Sequence, residues 1–101
     1  MAGLSYEARV AFGTIVEYFE DGVFSEKTWV ELVKDPASPR KYQPEWRGFQ
    51  YRNLPKGKRS PLRFMSTKSY EELKRTGLFI EFGHRARVNV YRMDVLLREL
   101  E

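Results

Sequence analysis

The sequence contains no cysteine and a single histidine, and these absences exclude several kinds of chemistry. Without cysteine there is no disulfide, no cysteine-ligated zinc and no thiol nucleophile. The lone histidine, His84, has no second imidazole with which to build a metal site or a triad, and no glycine-rich phosphate loop is present. The sequence therefore predicts no enzyme, no catalytic residue, no cofactor and no metal site. The acidic residues Glu17, Glu20 and Asp21 are interpreted as a solvated helix surface.

Long hydrophobic runs are also missing. No apolar stretch approaches the length that spans a membrane, and the first residues lack the basic-then-apolar pattern of an export signal. We therefore expect an intracellular, cytoplasmic protein without a membrane partner, located in the host cell if it is viral. With 101 residues, of which 42% are hydrophobic, the chain predicts one domain over residues 1–101. Its small size and charged composition favour a virus or mobile element, with an archaeal host, as its source.

Proline and positive charge are both concentrated in one segment. All five prolines lie between positions 36 and 61, and residues 36–65 have a net charge of +7. Residues 1–35 have a net charge of −4 and residues 66–101 of +1. Concentrated positive charge is expected where a protein binds a polyanion. We interpret residues 35–65 as a basic arm, either extended or folded into an irregular hairpin.

Two helices are predicted before the arm. In the first, apolar residues recur at three- and four-residue steps from Leu4 to Phe19, with Ser5 as the N-cap and Gly22 as the stop. A short extended segment at residues 23–24 would form a stub strand. The second helix would begin after Ser25 and end at Asp35, because a residue before proline disfavours the helical conformation. The side chains expected on its buried side are Trp29, Val30, Leu32 and Val33.

A third helix and a β-hairpin are predicted after the arm. The helix covers residues 66–76, is capped by Ser66 or Ser69, and stops at Gly77. The hairpin covers residues 78–93, with strands at 78–82 and 87–93 and a basic tip at 83–86. Asp94 would then cap a short last helix, whose leucines are the surface predicted for a homodimer: Leu96, Leu97 and Leu100.

Two segments resemble the winged helix-turn-helix family of DNA-binding proteins. They read Glu72-Leu73-Lys74-Arg75-Thr76-Gly77-Leu78-Phe79 and Arg85-Ala86-Arg87-Val88-Asn89-Val90-Tyr91-Arg92-Met93. Many winged-helix regulators, and plasmid or phage replication proteins, have a recognition helix and wing of this kind. The resemblance implies an α+β winged helix, with a three-helix core, a C-terminal hairpin wing and a basic insertion between helices two and three.

The resemblance further implies a transcriptional regulator that binds duplex DNA with the third helix, the wing and the arm. Helix N-termini and basic tips are suited to phosphates. If the helix entered a groove, Glu71 and Glu72 would have to point sideways, because carboxylates that face phosphates are repelled. The residues assigned to the nucleic-acid interface are Thr67, Lys68 and Ser69 on the helix, Arg85 and Arg87 at the wing, and Arg40, Lys41, Arg47, Arg52, Lys56, Lys58, Arg59 and Arg63 on the arm.

Two other functions are compatible with the same residues. The acidic pair Glu71 and Glu72 favours a viral or mobile-element module that uses a winged helix to bind a polymerase or a host defence complex. The aromatic residues Trp46, Phe49 and Tyr51 lie among arginines, a pattern that favours single-strand or RNA binding through the arm.

Overall fold

An antiparallel sheet of four strands packs against helices in the computed structural model, which describes residues 3–22, 24–35, 38–45 and 65–100. The fold is therefore α+β. In chain order the elements are α1 (Tyr6–Glu20), β1 (Val30–Asp35), β2 (Ser38–Glu45), α2 (Thr67–Arg75), β3 (Phe79–Phe82), β4 (Arg85–Val88) and α3 (Val90–Leu100). None of these described helices is both long and apolar enough to cross a membrane.

The first helix forms as its apolar periodicity predicts. The Ser5 hydroxyl accepts a hydrogen bond from the Ala8 N–H at 3.2 Å, which confirms Ser5 as the N-cap. Gly22 has a φ of 76° just after the helix, as expected for a glycine stop. The helix buries one stripe of side chains in the core: Ala8, Ala11, Phe12, Ile15 and Tyr18.

The predicted second helix is wrong, because residues 30–35 form strand β1. Ser25 and Thr28 form a turn instead of a helix cap, with the Ser25 N–H donating to the Thr28 hydroxyl at 2.9 Å. Val30 and Leu32 are buried whereas Glu31 between them is only half-buried, which is the two-residue period of a strand. In so short a run, helical and strand spacing are hard to tell apart, and pairing with two neighbouring strands stabilises the strand.

Strand β2 occupies the start of the segment predicted to be an arm. It pairs antiparallel with β1, which places Leu32 opposite Pro44. The sheet order is β2-β1-β4-β3, so β1 lies between the two hairpins. Residues 38–45 therefore belong to the sheet. The sequence also favours strands at 46–52 and 62–65 in the arm, and of these only Met65 lies within the described residues, where it is not in a strand.

The second hairpin is shorter than predicted. Its turn consists of Gly83 and His84, and Gly83 has a φ of 60°, as a two-residue turn with glycine at its first central position requires. Arg85 and Ala86, predicted at the tip, are the first residues of β4. The return strand predicted to reach Met93 ends at Val88, and the last helix begins before the predicted cap. The Asn89 side chain accepts a hydrogen bond from the Arg92 N–H at 3.3 Å, in the manner of an N-cap.

The last helix contributes to the core of its own chain. Met93 and Leu96 are buried, and Leu97 and Leu100 pack against the core as partly buried side chains. Leu97 and Leu100 also line a groove whose other wall is on α1. Packing against the first helix accounts for these leucines, and homodimerisation through this helix stays a prediction.

Two glycines provide a matched test of the backbone. Gly77 ends α2 with a φ of 87°, and an added Cβ would lie 3.0 Å from Nε of Arg92. Gly13 lies in the middle of α1, and an added Cβ would meet nothing within 4 Å. We expect Gly77→Ala to lower the free energy of unfolding by about 1–2 kcal/mol, since a left-handed conformation is costly for alanine.

The control, Gly13→Ala, should raise the free energy of unfolding by about 0.5–1 kcal/mol because alanine is the better helix former. Urea unfolding followed by circular dichroism measures both changes. Equal effects of the two substitutions would contradict the backbone conformation described at Gly77.

Candidate nucleic-acid interface

Two of the three residues assigned to the start of the third helix face the core. Ser66 is the N-cap of α2, and its hydroxyl accepts a hydrogen bond from the Ser69 N–H at 3.1 Å. Thr67 and Ser69 are only 8% and 3% exposed, so neither is available to bases or phosphates. The assignment of these two residues to the interface is therefore wrong, and the reason is that they lie on the buried side of the first turn. Lys68 between them is exposed, as its assignment requires.

Glu72 joins α2 to the beginning of α1. Its two carboxylate oxygens accept hydrogen bonds from the Ser5 N–H at 3.0 Å and from the Ser5 hydroxyl at 2.7 Å. The Ser5 hydroxyl, followed by the Ser5 N–H, lowers the pKa of Glu72 below its ordinary value, and the positive charges of Lys68 and Arg75 lower it further. Glu72 thus acts as a cap for a helix 67 residues away in sequence. This contact weakens the sequence observation that favoured a protein-interaction module, because one of the two acidic residues has a structural role.

The Glu72 contact predicts a pH-dependent contribution to stability. The folded protein has the lower pKa, so the contribution is complete above the ordinary value of 4.5 and is lost as the pH falls through the folded-state pKa. We expect Glu72→Gln to lower the midpoint of thermal unfolding by a few degrees at neutral pH. The difference from the native sequence should shrink as the pH falls below 4.5 and through the lower pKa of the folded protein.

The neighbouring variant Glu71→Gln is the control, since it removes one carboxylate from the same helix and leaves the Ser5 contact in place. Melting curves followed by circular dichroism between acidic and neutral pH make the comparison. A Glu72→Gln deficit of the same size at both ends of the range would show that the carboxylate charge is not what stabilises the contact.

A second contact fixes the hairpin β3–β4 against α2. The ring of Tyr70 stacks on that of Phe79 with centroids 4.6 Å apart, and the Tyr70 hydroxyl donates a hydrogen bond to Glu81. Burial, assisted by the hydrogen bond and the negative charge of Glu81, raises the pKa of Tyr70 well above its ordinary range. Lys74 lies 3.0 Å from the other oxygen of Glu81. The helix and the hairpin therefore have a defined relative position.

The pKa of Glu81 reflects opposing effects in this contact. Partial burial acts to raise it, but hydrogen bonds from Tyr70 and Lys74 and the charge of Lys74 outweigh burial, so the pKa lies below its ordinary value. Glu81 is therefore a carboxylate at neutral pH, which is the form that both partners stabilise.

The side of the sheet opposite α2 carries both arginines predicted at the wing. Side chains alternate along β4, so Ala86 and Val88 are buried in the core, whereas Arg85 and Arg87 point to the other side. In the ladders, Arg85 lies between Glu31 and Phe82, and Arg87 lies opposite Ile80. We call this side the outer face and define it by Trp29, Glu31, Val33, Ile80, Phe82, Arg85 and Arg87.

The two arginines of the outer face differ in their surroundings. The guanidinium of Arg87 lies 5.7 Å from the centroid of the Trp29 ring and donates a hydrogen bond to the Glu26 carbonyl at 3.4 Å. This cation–π contact orients the Arg87 side chain. Arg85 is exposed beside the turn. Alternate residues of a strand are about 6.7 Å apart, so the two arginines follow one line on the surface.

The basic arm is described only in part. Arg40 is exposed on β2, and Lys41 lies on the same strand. The other residues assigned there lie outside the described residues, as do the aromatic residues of the single-strand hypothesis: Arg47, Arg52, Lys56, Lys58, Arg59, Arg63, Trp46, Phe49 and Tyr51. Their contribution to an interface stays a prediction.

The single histidine has a structural place at the turn. The His84 carbonyl accepts a hydrogen bond from the Leu32 N–H at 2.6 Å, which extends the pairing of the two hairpins. Its ring lies 5.3 Å from that of Tyr42 on β2.

Sequence reasoning missed two aromatic members of the outer face. Trp29 was expected in the core of a helix, and it is instead a half-buried neighbour of Arg87. Phe82, which received no role, is 79% exposed and lies directly opposite Arg85. A hairpin with a two-residue turn at Gly83 and His84 places Phe82 opposite Arg85. The four-residue tip predicted from the sequence at residues 83–86 shifts the register of the return strand and so does not give this pairing.

The chain was compared with protein-family models, with curated proteins and with solved structures, and none of them matches it.

Proposed function

We propose that the protein binds duplex DNA, as a regulator of transcription, through the hairpin β3–β4, the exposed part of α2 and the basic arm. The observation that supports this most directly is the pair Arg85 and Arg87 on the outer face. Their spacing along β4 is comparable to that of neighbouring phosphates on one DNA strand, and Trp29 orients Arg87. Arginines held in this way are well suited to phosphate contacts.

The order of elements supports a winged-helix-like arrangement for this binding. A helix is followed at once by a hairpin, and β1 pairs with the second strand of that hairpin, β4. In this proposal α2 is the recognition helix, β3–β4 is the wing and β1 is the third strand of the wing sheet. Strand β2 follows β1 at the point in the chain where a winged helix has its second helix.

The chemistry of α2 favours contacts to the DNA backbone over the reading of bases. Thr67 and Ser69 are buried, so Lys68 is the one residue of the three assigned that can reach the ligand. Since phosphate contacts position a protein without selecting a sequence, binding should be largely independent of sequence. The net charge of +7 in residues 36–65 supports the same mode.

Binding to a duplex of arbitrary sequence, about 30 base pairs long, over a salt range of about 50–300 mM tests the proposal. We expect binding at low salt that weakens steeply as salt rises, with a log–log slope of about −0.9 for each phosphate neutralised. Single-stranded DNA of the same length is measured beside it. Preference for the single strand would favour binding through the arm, and no duplex binding at the lowest salt would contradict the proposal.

A protein-interaction module is the second candidate function. It is favoured by Tyr6 and Val10, which are 82% and 51% exposed on one side of α1. Both line a shallow groove that continues to Met65 and Ser66. Unchanged folding of a Tyr6→Ser, Val10→Ser variant would show that the fold does not need these two side chains. If the native protein also fails to bind duplex DNA, the search should turn to a protein that binds this side of α1.

A further inference from the structure

Among the described residues of the sheet, Phe82 is the large hydrophobic side chain most exposed to solvent. It is 79% exposed at the end of β3, next to the turn, while Ile80 on the same face is half-buried. Its neighbour across the ladder is Arg85. An aromatic ring and a cation presented together at the tip of a hairpin match the two chemistries of a nucleic acid, its bases and its phosphates.

The hairpin that presents Phe82 is firmly attached to the rest of the molecule. Phe79 stacks on Tyr70, and Glu81 accepts a hydrogen bond from Tyr70 and pairs with Lys74. Across the turn, the His84 carbonyl accepts a hydrogen bond from the Leu32 N–H. The backbone that carries Phe82 is thus held in place, so burial of the ring by a ligand would cost side-chain freedom but little backbone freedom.

We propose that Phe82 is a wedge residue that inserts between two stacked base pairs from the minor groove of duplex DNA, while Arg85 contacts an adjacent phosphate. This inference rests on the proposed duplex binding and specifies how the wing engages its ligand. Proteins that bend DNA insert apolar side chains in this way, and the buried ring offsets part of the cost of unstacking. The expected consequence is a local kink in the DNA.

The outer face favours a wedge over a platform for single-stranded bases. Such platforms offer several ring faces on which successive bases stack. Here Arg87 lies over the Trp29 ring, so among the described residues of this face Phe82 alone presents a largely exposed ring. A single exposed ring at the end of a hairpin, with an arginine opposite it, can enter a groove.

Fluorescence of 2-aminopurine placed in a duplex measures unstacking directly, and fluorescence anisotropy of the same samples measures binding. With the native protein we expect a rise in 2-aminopurine fluorescence on binding, largest at flexible TA steps and smallest in A-tracts. Phe82→Ala should abolish the rise and weaken duplex binding by roughly tenfold. Phe82→Leu, which keeps an apolar wedge, should retain most of the rise.

The matched control is Tyr91→Ala, which removes an aromatic ring of similar exposure, 74%, from α3. It should leave both signals unchanged. Thermal melting of each variant checks that the fold is intact. We expect it to be intact because both side chains are exposed and contribute little to the core. The wedge proposal would be wrong if the native protein binds the duplex without unstacking it, or if Phe82→Ala unstacks it equally. Either result would leave the proposal of duplex binding intact. No duplex binding at low salt would instead overturn the proposed function, and the wedge with it.

Discussion

Reversing the charge of both outer-face arginines, Arg85→Glu with Arg87→Glu, is expected to weaken duplex DNA binding about a hundredfold. Each reversal replaces an attraction of about 1 kcal/mol at 4 Å in water with a repulsion of similar size. Two reversals therefore amount to about 4 kcal/mol, which salt screening reduces to roughly 3 kcal/mol. That difference corresponds to about two orders of magnitude in the dissociation constant.

The salt dependence should change together with the affinity. Loss of two phosphate contacts is expected to reduce the log–log salt slope by about 2. Anisotropy titrations at several salt concentrations measure the affinity and the slope in one experiment. A weaker affinity with an unchanged slope would indicate that the substitutions acted through the fold and not through phosphate contacts.

Single substitutions separate binding from folding in this test. Arg87 contacts Trp29 and Glu26, so its reversal also perturbs the surroundings of β1. Arg85 is exposed but lies opposite Glu31, so its reversal brings two carboxylates together and should lower the free energy of unfolding by about 1 kcal/mol or less. Arg98→Glu is the matched control, because it reverses an exposed charge in the last turn of α3, outside the outer face.

A reversal in the arm distinguishes the remaining hypotheses. If Lys58→Glu with Arg59→Glu abolishes binding and the wing reversal does not, the arm is the binding site. If neither pair affects nucleic-acid binding, the protein-interaction module becomes the better hypothesis.

The largest expected effect on stability comes from Leu73→Ala. Leu73 is fully buried in α2 and belongs to the same core cluster as Ile15 and Leu78, which are also fully buried. Truncation of a leucine in such a place loses transfer free energy and leaves a cavity, which together cost about 2–5 kcal/mol. Since domains of this size have total stabilities of about 5–15 kcal/mol, the variant should approach the limit of folding.

Thermal and urea unfolding followed by circular dichroism measure this loss. For a domain of this length, each kilocalorie per mole corresponds to a shift of roughly 4–8 °C in the midpoint, so a loss of about 2 kcal/mol or more should lower the midpoint by at least about 8 °C. Val10→Ala is the control, because Val10 is 51% exposed and its truncation should change stability by about 0.5 kcal/mol or less. A loss below about 1 kcal/mol for Leu73→Ala would contradict the burial described here.

Loss of Leu73 should also impair binding, and the two effects can be separated. Tyr70 on the same helix fixes the hairpin through Phe79 and Glu81, so displacement of α2 displaces the wing. At a temperature where the variant is still folded, its DNA affinity should fall while its salt slope stays close to that of the native protein. This outcome differs from that of the arginine reversals, which change the slope.

The sequence by itself determined the elements that depend on near neighbours. The periodic apolar residues of α1, the Ser5 cap and the stop at Gly22 are all local features, and each was predicted correctly. The third predicted helix, its stop at Gly77 and the hairpin after it were also found, because caps and glycine conformations act within a few residues. The uneven distribution of charge along the chain is likewise a property of the sequence alone.

Tertiary structure decided the elements and contacts that depend on distant partners. Residues 30–35 became a strand because β2 and β4 flank them on both sides, and no local signal distinguished that outcome from a short helix. The hydrogen bonds of Glu72 to Ser5, and the burial of Thr67 and Ser69, follow from the way α2 packs on α1. The pairing of Phe82 with Arg85 depended on the length of one turn. Backbone pairing and side-chain burial join residues far apart in sequence, so they fix which side chains share a surface, and a one-residue shift in register changes that surface entirely.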